Sequence, residues 1–432
     1  MSTKLRVIKN AIASLGVKGV KVLEQLFLIP FFIFYWGVEY YGEWLTLMII
    51  PSVFAFSDLG LGTAAASSFV LKYAEGKNQE AVDILKTGYL IITKIIIISF
   101  FIVFSIVYFL VNFNILSSIS LTEEEIIYSV FFMMLATFIN FYMQLYEANY
   151  RAVRKSHIAI NLQAVSGLFR LGGGLLSLYN GYGVIGFSIV QLIISIFNNF
   201  LYGYISFNVI HLNNYTGVYS KEIAKDIFKK GMGYILNPLW QVILFQGTTV
   251  VVRIILGPSA VVVFNTLRTL SRSINQIYSI IGSSIFPEIQ VAIGEGKIHK
   301  AEALLKKGIK LSLILGVLGV LVLATIGMPI YNLWTNNQLI APYSLWFILI
   351  LSTFFNAIWW TSAVIFRALN RPYKLALSGL FLSIISIIFT YIFCYLFNIN
   401  GAGIGMLFFE VLMALYILPS SFKLLKEVRA CQ

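Results

Sequence analysis

Residues 373–397, YKLALSGLFLSIISIIFTYIFCYLF, are followed after Asn398-Ile399-Asn400 by residues 401–422, GAGIGMLFFEVLMALYILPSSF. From Leu375 to Phe422 the one charged residue is Glu410. A helix needs roughly 20 apolar residues to cross the hydrocarbon of a bilayer, and each run supplies them. Backbone polar groups in hydrocarbon must be paired within their own segment, so the two runs read as a membrane-spanning helical hairpin.

The same ruler, moved outward, finds ten more runs. They lie near 14–36, 41–66, 87–111, 126–147, 158–179, 184–209, 232–256, 259–287, 309–333 and 343–366. The fold class expected is an all-α membrane protein with about twelve transmembrane helices. Composition agrees. Of 432 residues, 59% are hydrophobic and 11% charged, with mean hydropathy +0.86. A water-facing surface on a chain this long requires about a quarter of its residues charged. The joins are short, so no sizeable soluble domain is expected.

The net charge of +13 invites a nucleic-acid reading, but location excludes it. Of the 31 Lys and Arg, 24 fall in alternate joins: around Lys4–Lys9, Lys72–Lys86, Arg151–Lys155, Lys221–Lys230, Lys297–Lys310, Arg367–Lys374 and Lys423–Arg429. The intervening joins carry none, and hold Glu39, Glu43 and Glu123 to Glu125. Basic joins stay on the cytoplasmic side, so both termini are expected there. Cys394 and Cys431 offer neither a disulfide framework nor a thiolate metal site, and the three histidines, His157, His211 and His299, form no cluster. No metal and no cofactor are expected. Lys18, Lys21 and Glu24 in the first apolar run argue against a cleavable signal peptide.

Glu75-Gly76-Lys77 with Ala81, Leu85, Lys86 and Gly88 recurs 220 residues later as Glu295-Gly296-Lys297 with Ala301, Leu305, Lys306 and Gly308. The same offset places Gly37 on Gly257 and Gly62 on Gly282. Matches in Gly, Glu and Lys outweigh matches in Leu and Ile. Two parallel six-helix repeats are therefore expected, residues 1–212 and 231–432, joined by a cytoplasmic linker at 213–230, around a central cavity.

Seven basic residues remain inside spans: Lys18, Lys21, Lys94, Arg170, Arg253, Arg268 and Arg272. A charge at the bilayer centre costs about 2.5–3.5 kcal/mol on insertion scales. Lys94 snorkels to the nearer interface, Lys21 has Glu24 three residues on, and Arg253 is near an outer end. Arg170, Arg268 and Arg272 lie too deep to snorkel. Asn265, Arg268, Arg272, Asn275, Ser279 and Ser283 form one helical stripe. Gln163, Ser166, Arg170 and Ser177 form another, as do Thr137, Asn140, Gln144 and Glu147, and Ser188, Gln191, Ser195 and Asn198. The stripes line a hydrated cavity or serve as interhelical hydrogen-bond glue. The deep arginines favour the cavity, because no count of deep carboxylates matches them; the deep acids are few, Glu24, Asp58 and Glu410. An excess of guanidinium selects an anion, phosphate above all.

Several segments resemble one family. Glu39-Tyr40-Tyr41-Gly42-Glu43-Trp44, Ser57-Asp58-Leu59-Gly60-Leu61-Gly62, and Phe286-Pro287 followed by Glu295-Gly296-Lys297 are similar to polysaccharide flippases, the Wzx-type O-antigen translocases of the multidrug/oligosaccharidyl-lipid/polysaccharide (MOP) exporter superfamily. The resemblance implies a flippase, not an enzyme, that moves an undecaprenyl-pyrophosphate-linked oligosaccharide repeat unit across the bacterial inner membrane during O-antigen or other surface polysaccharide biosynthesis. It implies a monomer amid membrane lipid, working beside a polysaccharide polymerase and a chain-length regulator. Arg170, Arg268, Arg272, Lys21 and Arg253 would take the diphosphate. Asn140, Gln144, Gln163, Asn265 and Asn275 would line the cavity. Glu24, Asp58 and Glu410 would couple transport to ions or protons. Trp240, Trp359 and Trp360 stack on sugars or anchor at the interface. The alternatives are a multidrug cation antiporter of the same superfamily, which favours deep carboxylates, and a membrane polymerase or glycosyltransferase, which favours larger external loops.

Overall fold

A computed structural model describes residues 3–55, 60–112, 120–210, 212, 215–294, 297–369 and 372–430. Asp58, Glu295, Gly296 and Arg371 lie outside the described residues, as does the side chain of Pro287. The described residues form helices and no strands.

The first half of the chain gives α1 (Thr3–Leu47), α2 (Ile49–Phe54), α3 (Leu61–Ala74), α4 (Asn78–Asn112), α5 (Glu123–Ile139), α6 (Met143–Ala152), α7 (Ser156–Tyr179) and α8 (Val184–Val209). The second gives α9 (Lys221–Leu256), α10 (Pro258–Arg272), α11 (Asn275–Gly294), α12 (Ile298–Trp334), α13 (Tyr343–Ser362), α14 (Val364–Ala368), α15 (Pro372–Phe397) and α16 (Ile399–Ala430). A 3-10 turn, Asn140–Tyr142, joins α5 to α6. All twelve apolar runs fall on these helices. The run at 41–66 is divided among α1, α2 and α3, and the run at 259–287 between α10 and α11. Among the described residues, eight helical stretches are long and apolar enough by themselves to cross a membrane. Runs that carry charges or breaks account for the rest. The chain is a multi-pass membrane protein.

The hairpin at the C-terminal end turns at Asn398, whose φ of 55° is the left-handed conformation that asparagine tolerates better than other side chains. At the start of α5, Thr122 and Glu125 form a reciprocal capping box. Glu125 also accepts a 2.7 Å hydrogen bond from Tyr40, tying α5 to α1. Part of the acidic cluster of that join is thus structural.

Burial runs opposite to that of a soluble protein. In the most apolar 18-residue window of Asn78–Phe109, 22% of the residues are buried, whereas in that of Tyr343–Ala368, a stretch with Ser, Thr and Asn, 67% are. Phe101, Phe200, Phe381 and Tyr395 point outward. Such a surface is stable only against lipid.

The chain divides into two compact units, residues 1–235 and 236–432. The division falls inside α9, and residues 221–230 are helical rather than a separate linker. In the first unit α1 packs on α7, α5 on α8, and α3 on α4 and α6. In the second, α16 packs on α13 and α15, and α12 on α11 and α13. Trp359, Phe366, Phe409 and Met413 lie at the centre of the second core.

The two units share their irregularities. Gly37 (φ 76°, ψ 170°) breaks α1, and Gly257 (φ 84°, ψ 178°) separates α9 from α10. Both sit in a backbone region open essentially to glycine alone. In each unit the second membrane run is broken, before α3 and between α10 and α11. The fourth is interrupted too, by the 3-10 turn in one and at Ala363 in the other. Pro30 and Pro238, by contrast, sit inside continuous helices.

Candidate functional site

Proline at the first position of α10 suits a helix start, since its missing N–H is one of those left unpaired there. From that start, Arg268 and Arg272 come one turn apart near the helix end. Arg268 donates from Nη1 to the Phe245 carbonyl at 3.0 Å and from Nη2 to Thr249 Oγ1 at 3.3 Å, and it also donates to Asn265 Oδ1. Its guanidinium carbon lies 5.6 Å from the ring centre of Phe245 and 5.2 Å from that of Phe264. Every one of these partners is uncharged. The Arg268 charge therefore has no carboxylate partner among the described residues.

Arg272 differs. Its Nη1 is 3.0 Å from Glu410 Oε1, and its guanidinium lies 4.7 Å from the centre of the same Phe245 ring. Glu410 is 1% exposed and the Arg272 side chain 23%. The other carboxylate oxygen, Oε2, accepts from Asn356 Nδ2 at 3.0 Å and Trp359 Nε1 at 2.5 Å. Asn356 and Trp359 are three residues apart, so they share a face of α13. Two guanidiniums and one carboxylate leave this cluster with one net positive charge.

The expected neighbour of Lys21 is thereby corrected in the other unit. Glu24 reaches Arg170 of α7 instead, Oε1 to Nε at 3.9 Å, and Lys21 is exposed. Close helix approach explains it. A Cβ on Gly167 would come within 2.7 Å of Val20, and one on Gly174 within 2.9 Å of Leu28, so only glycine lets α1 and α7 come so near. A second correction concerns balance. Two of the three deep arginines have an acid beside them, because pairing across helices does not follow from depth along each helix.

The expected lining residues divide. Asn265 belongs to the Arg268 cluster. Gln144 accepts from Thr63 at 2.8 Å, and Asn140 donates to the Ala136 carbonyl at 2.9 Å, so both have partners within their unit. Asn275 Oδ1 is buried without a hydrogen-bond partner among the described residues. Gln163 and Arg253 are partly buried, and Arg253 lies one turn beyond Thr249. Trp359 and Trp240 are buried in the second core rather than free to meet a sugar or an interface. Asn356, Thr249 and Phe245 were not foreseen. The spacing of Asn356 and Trp359 was visible in the sequence, but only tertiary packing brings them to Glu410.

No family model matches the chain, and no curated protein matches its sequence. Solved structures do match its fold. An inward-facing multidrug resistance MATE family transporter of the MOP superfamily superposes with a TM-score of 0.79, at 16% identity over 96% of this chain and 99% of that one. An outward-facing MATE family transporter gives 0.66, at 16% identity over 99% and 97%. A MOP superfamily transporter from Pyrococcus furiosus, described as having a binding pocket of reverse polarity that suggests a different function, gives 0.65 at 17% identity over 98% and 96%. At these identities the likeness shows the fold, which is that of MOP superfamily transporters.

Proposed function

We propose that this chain is a flippase for an anionic lipid-linked oligosaccharide, the undecaprenyl-diphosphate-linked repeat unit of a surface polysaccharide. It works by alternating access in a bacterial inner membrane with both termini cytoplasmic. One observation carries the reading: among the described residues Arg268, a guanidinium deep in a membrane run, is held by neutral acceptors only, one turn from Arg272. A charge kept in place without a counter-ion favours an incoming anion, and paired guanidiniums suit the oxygens of a diphosphate. The fold supports transport, and the Pyrococcus furiosus relative supports the idea that pocket polarity varies within it. Arg253 and Asn275 of the second unit, and Arg170, Lys21 and Gln163 of the first, are the further contacts proposed for such a substrate.

Transport of surface polysaccharide in cells where this chain is the sole flippase tests the reading. Arg268→Ala is expected to lower export at least about tenfold, since a hydrogen bond to a charged group is worth about 1.5–3 kcal/mol. Arg268→Lys is expected to restore part of it, with membrane insertion unchanged in both. Undiminished export in Arg268→Ala rejects the cationic site.

Multidrug antiport is the second reading, favoured by the MATE structures that share the fold. It requires a carboxylate open to a cation, whereas Glu410 is already engaged by Arg272. Efflux of a cationic dye that survives Arg268→Ala but not Glu410→Gln would select it.

A further inference from the structure

We infer that Glu410 is a built-in counter-ion, which a bound diphosphate displaces from Arg272 and which then takes a proton from water. The inference rests on the anionic-substrate reading above.

The two oxygens of Glu410 are held differently. Oε1 faces Arg272 of α10, while Oε2 faces two neutral donors of α13, Asn356 and Trp359. The helices α12, α14 and α15 also belong to this unit, and none of them gives Glu410 a hydrogen bond or an ion pair among the described residues. If Arg272 swings away, Oε2 keeps both donors and Oε1 loses its only charged partner among the described residues. The carboxylate does not follow, because the α13 donors hold it.

Exposure sets the direction of exchange. Arg272 has 23% of its side chain open and Glu410 has 1%, so an arriving anion meets the guanidinium and not the acid. Stoichiometry then sets the consequence. A monoanion is satisfied by Arg268, whose charge no acid among the described residues cancels. A diphosphate, with more charge and more acceptor oxygens, recruits Arg272 as well. The carboxylate left behind is buried without a cation, and such a group is stabilised by protonation. One proton from water adds to Oε1 for each diphosphate bound. Substrate loading and proton uptake thus become one event, and Glu410 acts through Arg272 as a positioning residue.

The test is infrared difference spectroscopy on the full chain, purified in detergent at pH 7, with farnesyl diphosphate and the singly charged diester farnesyl methyl phosphate as probes. Farnesyl diphosphate is expected to raise a protonated-carboxyl C=O band that shifts on 13C-glutamate labelling; the diester is expected to raise none. Glu410→Gln is expected to lack the band and to bind the diphosphate about tenfold tighter, its internal competitor being gone. Trp359→Phe removes one donor to Oε2 and is expected to shift the band to higher frequency, which keeps the assignment testable if Glu410→Gln does not fold. Diphosphate binding without the band, a band that persists in Glu410→Gln, or one unmoved by Trp359→Phe overturns the inference and leaves the anionic reading standing. Failure of the folded wild-type chain to bind the diphosphate at all overturns that reading instead.

Discussion

Glu410 has three donors within reach and almost no water, so its removal strands several groups at once. Glu410→Ala leaves Arg272 without its acid and both the Trp359 and Asn356 donors unpaired. Breaking a buried pair in this way costs about 3–5 kcal/mol. Thermal unfolding in detergent is expected to show a loss of that order, larger than for Arg268→Ala, whose partners are neutral. Trp359→Phe keeps the ring against Phe409 but drops the N–H, and is expected to cost about 1–3 kcal/mol on the same scale. Only part of this cluster was legible in the sequence. The stripe through Asn265, Arg268 and Arg272 followed from helical spacing alone. That Glu410, 138 residues further on, closes on Arg272 did not, because spacing within a helix says nothing about which helix lies opposite. Glu24 makes the same point: its near neighbour in sequence is Lys21, and its neighbour in space is Arg170.

Helices were legible where apolar runs are long, and their breaks were not. Gly37 and Gly257 lie at matching places in the repeat, yet nothing in hydropathy distinguishes them from a glycine in a straight helix. Their conformations do. A Cβ at either position would meet nothing within 4 Å, so substitution there is a backbone effect free of clashes. Gly37→Ala and Gly257→Ala are each expected to cost about 1–3 kcal/mol, as a lowered unfolding midpoint with the contacts around them unchanged. Gly327→Ala provides the contrast. Its Cβ would fall 2.1 Å from the Trp346 ring, so its cost arises from overpacking, also about 1–3 kcal/mol, and is expected to shrink when Trp346 is trimmed to Phe. The start of α9 shows a different limit. The second part of the expected 213–230 linker, Lys221–Lys230, is polar yet helical, with Asp226 and Lys230 paired one turn apart. Polarity marks the end of a membrane run, not the end of a helix.

At the scale of the whole chain, the lipid is as much a part of the fold as any core. Outward-facing Phe, Ile and Leu and an inward set of Ser, Thr and Asn were foreseeable from composition, since 11% charge leaves no other arrangement. The alternation of basic joins fixes an expected orientation that is open to direct measurement. In a variant with Cys394 and Cys431 replaced by serine, Ser120→Cys is expected to react with a membrane-impermeant thiol reagent added to intact cells. Lys77→Cys is expected to react only after lysis; the reverse pattern would invert the topology. The paired glycines have a consequence at this scale too. A glycine held at positive φ with empty space beside it rejects all nineteen alternatives for one reason, whatever their size or charge. A saturation mutagenesis map should therefore carry two narrow intolerant columns with matching profiles, 220 positions apart. That signature of an ancestral duplication would outlast the erosion of every other letter the two halves once shared.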